Sequence, residues 1–189
     1  MDLFFDSCRR QYEQTMAMVR GAIELCPDEV WAHREEREPP FWHQMFHALK
    51  VTEGYAGESF DDLRTELAVE VLQPRRPVDG EPSYRPLIEA IGRLMDADYQ
   101  PPGVVDRAAM LELADHVLAC CLASLDRDAD RPVDDPAANR FPWTGTTSFD
   151  KHIYNLRHLH HHLGRINGLL RRQADIGNPW VMATPPASG

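Results

Sequence analysis

Apolar residues recur every three or four positions over four long segments of this chain, a spacing typical of amphipathic helices. The four segments are residues 2–26, 40–55, 106–125 and 148–173. We find no alternating strand pattern of useful length and no internal repeat. The pattern therefore predicts an all-α protein, and four long helices with one long middle crossover are typical of a four-helix bundle.

Helix-breaking and capping residues lie at the ends of these segments. Pro27 ends the first segment, and Pro40 suits the first turn of the second, where a missing N–H costs nothing. Asp106 is a candidate N-cap for the third helix, and Thr147 or Ser148 for the fourth. The helix ends are thus marked independently of the apolar periodicity.

The crossover between the second and third helices, residues 56–105, is the least regular part of the sequence. Two amphipathic pieces, 60–72 and 84–95, predict extra short helices, and the proline- and glycine-rich stretch 73–83 separates them. A polar linker, residues 126–147, joins the last two helices. The crossover is longer than a bundle core needs, so we expect it to help build a substrate pocket or a dimer contact.

The length of 189 residues fits one domain with a core of sufficient size. We expect residues 1–176 to form this domain. The remaining tail, residues 177–189, contains three prolines, and we expect it to be extended or disordered after Trp180.

The charge balance limits the classes of partner. A net charge of -10 argues against a general nucleic-acid binder, which needs a basic face, and against docking on anionic membranes. The longest apolar runs fall short of the roughly 20 residues that span a bilayer, and the N-terminus lacks a signal-peptide core. We therefore expect a soluble, cytoplasmic protein with no nucleic-acid and no membrane partner.

The four cysteines do not form a zinc-ribbon pattern, because no C-x-x-C occurs. Cys120 and Cys121 are neighbours in an apolar helical stretch and are poorly placed to bond each other. We expect all four, Cys8 and Cys26 included, to be reduced core thiols.

Five of the nine histidines fall between His152 and His162. At about 100° per residue, His162 lies inside the apolar arc of the last helix and His158 lies at its edge. His160 and His161 point away from most of that arc. The helix thus directs two histidines, four residues apart, into the bundle, close enough to share one metal ion. His152 also faces inward, but its place in the first turn favours capping or packing at the core edge.

A third ligand must come from another helix. The second helix offers His43 and His47, again four residues apart, and its nearly all-round apolar character leaves the choice between them open. We expect His116 to be solvent-exposed and His33 to lie in a charged loop. A di-iron carboxylate site is disfavoured, because no E-x-x-H motif occurs.

Two short motifs carry a family resemblance. In the second helix, His47 follows Trp42 by five positions. The second-helix motif continues with Ala48, Leu49 and Glu53, and the last-helix motif consists of His158, His162, Gly164, Arg165, Leu169, Leu170 and Arg171. Both resemble the DinB-like family of metal-binding four-helix bundles, whose last-helix pattern is similar to H-x-x-x-H-x-G-Q before a leucine pair and a basic residue. Arg165 stands where that family usually has Gln.

The resemblance implies a metal centre formed by His47, His158 and His162, with zinc or nickel as the usual ion, and a homodimer. Characterised relatives include transferases and isomerases that use low-molecular-weight thiols. A three-histidine centre keeps a coordination position open, as catalytic sites do. The leading hypothesis is therefore metal-dependent thiol S-transfer.

Two alternatives remain open: a metal-dependent hydrolase, for which we find no clear general base beside the ligands, and a non-catalytic metal-binding or stress-related bundle. Asn155 lies on the same face as His158, where it lines the pocket or acts as a polar cap residue. Arg165 either binds a carboxylate of the thiol or is solvated.

Overall fold

The computed structural model describes residues 3–132, 135 and 139–182. The described helices are α1 (Leu3–Leu25), α2 (Asp28–Trp31), α3 (Phe41–Ala56), α4 (Glu66–Leu72), α5 (Arg85–Arg93), α6 (Arg107–Ala129) and α7 (Ser148–Ala174), with a 3-10 turn at Phe60–Asp62. Across these residues there is no strand, and the one β-bridge, between Glu35 and Glu38, is isolated. The all-α prediction is confirmed.

The four long helices pack around one core. Helix α1 contacts α6 and α7, and α3 also contacts α6 and α7, so each long helix has two long neighbours. Large buried side chains from all four meet in the centre, among them Tyr12, Trp42, Met110 and Leu163. This arrangement is the predicted helical bundle, and burial of these apolar surfaces is the main force that holds it together.

The predicted N-cap residues lie at the starts of α6 and α7, as expected. The Asp106 carboxylate accepts a hydrogen bond from the Ala109 N–H at 2.8 Å, which caps α6. Thr147 and Asp150 form a reciprocal capping box at the start of α7. Helix α1 ends at Leu25, just before Cys26 and Pro27.

Three features of the helices differ from the sequence prediction. Helix α6 continues past Leu125 to Ala129, because Asp128 faces the core and satisfies its charge there. The predicted helix over 60–72 is split, since the backbone of Arg64 bonds the side chains of Glu53 and Lys50 instead of continuing a helix. The four-residue helix α2 is too short to show a period in the sequence.

Helix α6 is also long and apolar enough to cross a membrane by length and composition. The sequence-based exclusion of such a segment was therefore too strong. The core helix of a soluble protein meets the same criteria, and α6 buries Met110, Val117, Cys121 and Leu125 in the bundle core.

The crossover is folded onto α3. Helix α5 packs against both α4 and α3, with Leu87, Ile91 and Leu94 in the core. Residues 175–182, after α7, are not helical, and the predicted extended tail beyond Met182 lies outside the described residues, as do five positions of the 126–147 linker. The crossover therefore brings the C-terminal end of α5 beside the middle of α3.

Candidate metal centre

Three histidines from two helices meet in the bundle. His47 on α3 and His158 and His162 on α7 each offer a ligand atom, and these atoms all lie within 4.8 Å of one another. The His47 ring centre is 5.7 Å from that of His158 and 4.7 Å from that of His162, and the two α7 rings are 4.5 Å apart. This group could hold a metal ion.

Helix geometry explains how the three rings come together. His158 and His162 are one turn apart on α7, so their side chains stack on one face. That face packs against α3, which is buried on nearly all sides. The all-round burial is the reason that the sequence pattern could not choose between His43 and His47.

A backbone carbonyl fixes the orientation of His47. Its Nδ1 lies 3.0 Å from the oxygen of Ile91, in the last turn of α5. The carbonyl can only accept, so Nδ1 carries the proton and Nε2 keeps its lone pair. The Ile91 carbonyl also accepts from the Leu94 N–H at 3.3 Å, and its second lone pair is available for the imidazole N–H. Metal-bound histidines commonly hold their second nitrogen in this way.

All three imidazoles are held neutral. The pKa of His158 is lowered to about 4, mainly by burial and to a smaller extent by the charges of His47 and His161. The pKa of His162 is lowered to about 2, again mainly by burial, with smaller contributions from its histidine neighbours and Arg165. Burial is the main cause of the lowered pKa of His47 as well. Neutral imidazole is the form that binds metals.

The two α7 histidines leave polar atoms unpaired. Within the part of the chain that the structure describes, Nδ1 of His158 and Nδ1 of His162 are buried and have no hydrogen-bond partner. A buried polar atom without a partner costs free energy. Coordination to a shared cation would remove that cost, so the donor set fits a metal ion.

The other histidines have different surroundings. His43 is buried beside Trp42, with Nδ1 3.3 Å from the oxygen of Leu94, and does not join the cluster. His152 is buried and bonds Asp128 at 2.9 Å, consistent with a packing role rather than a ligand role. His33 lies in the loop between α2 and α3, as predicted, and is exposed.

Two predictions about histidine exposure were wrong. His116, expected in solvent, is half-buried, because its Nε2 lies 3.2 Å from the Glu53 carboxylate on α3. His160, expected to face away from the core, is half-buried against α1, with Nε2 2.8 Å from the Thr15 hydroxyl. Both partners are on other helices, which the periodicity of a single helix cannot reveal.

An aromatic group lies beside the three histidines. The Tyr55 ring centre is 6.4 Å from that of His158 and 5.1 Å from those of Phe141 and Tyr154. The Trp143 indole donates a hydrogen bond to the Tyr55 hydroxyl at 3.0 Å, and its side chain stays 58% exposed. Burial raises the pKa of Tyr55 to about 12, so its hydroxyl is neutral. One side of the centre is therefore apolar.

Asn155 and Arg165 occupy distinct positions near the centre. Asn155 is buried and donates to the Thr52 carbonyl at 3.1 Å, so it links α7 to α3 rather than capping a helix. Arg165 is half-buried, and its positive charge lowers the pKa of both His47 and His162. The centre therefore adjoins a fixed positive charge.

The cysteines are free thiols and do not contribute to the centre. Burial raises the pKa of Cys8 to about 11 and that of Cys26 to about 12, and it also raises the pKa of Cys120 and Cys121. All four are therefore protonated at neutral pH. Cys8, Cys26 and Cys121 are buried, as predicted for core thiols, whereas Cys120 is half-buried.

Sequence reasoning missed two contributions to the site. The Ile91 carbonyl is a backbone atom, so no residue-type signal could identify it. Tyr55, Phe141 and Trp143 come from α3 and from the segment before α7, and only their shared aromatic character hinted at a common place.

A comparison with known families agrees with this geometry. The family model described as the DinB superfamily matches residues 11–166, which include all three histidines. No curated protein and no solved structure is similar enough to match.

Proposed function

The chain belongs to the DinB superfamily, and from that membership and its three-histidine cluster we propose that it is a metal-dependent enzyme that transfers groups to or from a low-molecular-weight thiol. His47, His158 and His162 are the proposed ligands of one divalent ion. The observation that carries the proposal is the cluster of three neutral imidazoles, two of which, His158 and His162, have a buried nitrogen without a hydrogen-bond partner among the described residues.

The donor set limits the ion. Imidazole nitrogen suits zinc and nickel and is a poor match for magnesium or calcium, which prefer oxygen ligands. Three protein ligands, rather than four, are typical of catalytic zinc sites, which keep one position for water or substrate. Imidazole suits iron and copper as well, so we propose zinc or nickel because these are the usual ions of the family.

The choice of a thiol substrate rests on the family, whose characterised members include enzymes that use low-molecular-weight thiols, and charge supports it. A divalent ion held by neutral ligands keeps its full charge and would lower the pKa of a bound thiol, which favours the nucleophilic thiolate. The protein's cysteines have raised pKa values and do not supply a thiolate. The sulfur nucleophile is therefore proposed to be an external small molecule.

The chain's own groups prepare this site before any ligand arrives. The Ile91 carbonyl holds the Nδ1 proton of His47, which directs the Nε2 lone pair to the shared position. Tyr55 packs beside His158 and excludes water from one side. Because Tyr55 is neutral and already accepts from Trp143, we assign it packing rather than proton transfer.

A thiol panel tests the proposal. Protein loaded with zinc or nickel is assayed with glutathione, mycothiol and bacillithiol against an electrophilic aryl halide and a maleyl acceptor. We expect one thiol to give a rate well above the uncatalysed reaction, and the His162→Ala variant to lose it. The matched control is His161→Ala, which removes an exposed histidine from the same helix.

The two alternatives give different results in the same assay. Ester hydrolysis without any thiol, lost in His162→Ala, would favour a hydrolase. Stoichiometric metal without turnover on any thiol or ester would leave a metal-binding protein and contradict the enzyme proposal.

A further inference from the structure

A polar pocket, separate from the metal centre, lies next to the aromatic group of Tyr55, Phe141 and Trp143. Glu58 follows the end of α3, Arg127 and Arg131 lie at the end of α6, and Arg140 and Lys151 lie at the start of the α7 region. Gly57, Asp128 and Phe141 complete its lining. The pocket is formed where the carboxyl ends of α3 and α6 meet the amino end of α7.

The charge of this pocket is opposite to that of the whole protein. Among the described residues that line it, four cationic side chains face two carboxylates, whereas the full chain has 20 basic and 30 acidic residues. Concentrated positive charge in an acidic protein attracts anions to that place.

Part of this charge is already neutralised. The buried Lys151 ammonium lies 2.7 Å from the buried Asp128 carboxylate, a full charge-assisted hydrogen bond. Arg127 donates to the Ala56 carbonyl at 2.8 Å, in the last turn of α3. These two cations are fixed in place by their partners.

The two remaining cations are paired more loosely. Arg131 lies 3.3 Å and Arg140 lies 4.0 Å from the Glu58 carboxylate, compared with about 2.7–2.9 Å for a good charge-assisted bond. All three side chains are partly exposed, at 38%, 65% and 43%. One partly exposed carboxylate is therefore shared by two guanidinium groups that reach solvent, and Arg131 also lies 4.0 Å from the Asp128 carboxylate.

The pocket is close to the metal centre. Phe141 lines the pocket, and its ring centre is 5.1 Å from that of Tyr55, which is in turn 6.4 Å from that of His158. The buried rings of Phe141 and Tyr55 therefore connect the pocket with the metal centre.

We infer that Arg131 and Arg140 form an oxyanion-binding subsite, in which Glu58 occupies the place of the ligand's carboxylate or phosphate until that ligand displaces it. The forked, planar guanidinium group matches either oxyanion. The inference rests on the proposed function only for the identity of the ligand, an anionic small molecule that carries a carboxylate or phosphate.

Titration calorimetry tests the subsite with two probes, inorganic phosphate and succinate, which distinguish a phosphate from a carboxylate source. The protein used is the metal-free His158→Ala/His162→Ala variant, so that neither probe can bind a metal. We expect saturable one-to-one binding of at least one probe. Failure here would leave the metal proposal untouched, and failure to bind metal would leave this result untouched.

Three further variants of the metal-free protein define the outcome. Arg131→Gln/Arg140→Gln is expected to weaken binding by more than about tenfold, since charge-assisted hydrogen bonds are lost. Glu58→Gln is expected to tighten binding several-fold, a gain that misfolding cannot produce. Arg75→Gln, which removes a surface arginine paired with Glu81 and Glu89, is the control and leaves binding unchanged. Absence of saturable binding, equal binding in the double arginine variant, or weaker binding after Glu58→Gln would each overturn the inference.

Discussion

Helix α7 carries buried histidines in two different settings. His152, near its start, is 1% exposed and bonds the Asp128 carboxylate at 2.9 Å, while its Nδ1 lies 3.4 Å from the Tyr12 hydroxyl. His158 and His162, two and three turns later, contact other imidazoles, and their Nδ1 atoms have no hydrogen-bond partner in the described part of the chain. The same residue type on one helix is therefore satisfied in one place and unsatisfied in the other.

The difference separates a structural role from a binding role. Burial alone would raise the pKa of Asp128, but hydrogen bonds from His152 and Lys151 hold it below its ordinary value, so this group stays charged and fully paired. The three-histidine cluster has lone pairs and no counter-charge. A cluster of this kind gains from a cation that is not a proton, whereas the Asp128 network gains nothing from an added ligand.

The largest expected effect comes from breaking the satisfied network. Asp128→Ala leaves the Lys151 charge buried without its partner, and we expect a loss of about 3–5 kcal/mol in the free energy of unfolding. Denaturant unfolding measures it. The control, Asp126→Ala, removes an exposed carboxylate paired with Arg9 and should cost less than about 1 kcal/mol. Equal small losses in both variants would show that the buried Asp128 pair contributes no more to stability than the exposed Asp126 pair.

Adding metal sharpens the comparison from the other side. Zinc or nickel should stabilise the wild-type protein by about 2.7 kcal/mol when the free ion is at one hundred times its Kd. The His158→Ala/His162→Ala variant should show no such gain. Thermal unfolding with and without the ion measures both, and a similar gain in the double variant would mean that the metal binds elsewhere.

Acid should weaken the metal-free cluster. The pKa of His158 is lowered to about 4 and that of His162 to about 2, so below the ordinary histidine pKa the unfolded chain takes up protons that the folded protein does not. The free energy of unfolding therefore decreases as the pH is lowered. Between pH 7 and pH 6 we expect wild type to lose roughly 1–2 kcal/mol more than His158→Ala/His162→Ala. Denaturant unfolding at both pH values measures this, and equal losses would argue against neutral, buried imidazoles.

The smallest expected effect concerns Arg165. Replacing this half-buried cation by Gln removes a positive charge near the proposed ion, so metal affinity should rise by about twofold to fivefold, and less at high salt. Competition with a metallochromic chelator measures the affinity. Arg171→Gln, on the exposed end of the same helix, is the control, and weaker binding in Arg165→Gln would indicate that this side chain supports the site.

The four long helices were predictable because local signals marked both their faces and their ends. The Asp106 cap and the Thr147 capping box lie where the sequence indicated. The end of α6 was missed, since Asp128 is a charged residue in a core position and seemed to end the apolar stripe. Its partners, Lys151 and His152, lie on another helix and have no local signature.

The candidate site was predictable in part, from the same kind of local signal. The spacing of His158 and His162 placed both on the inner face of α7, but periodicity could not choose between His43 and His47, because α3 is buried on almost every side. The family resemblance indicated His47, and the structure brings that residue to the cluster. The Ile91 carbonyl that orients it depends on how the crossover folds, which no pattern of residue types encodes.

The most direct test of the central claim is the metal content of purified, tag-free protein after loading with zinc or nickel. Elemental analysis should give about one equivalent of a divalent ion in wild type and in His161→Ala. It should give none in His158→Ala/His162→Ala, because three ligands converge on one position and two are then missing. Equal, negligible metal in all three proteins, or equal metal in wild type and the double variant, would contradict a metal centre at His47, His158 and His162.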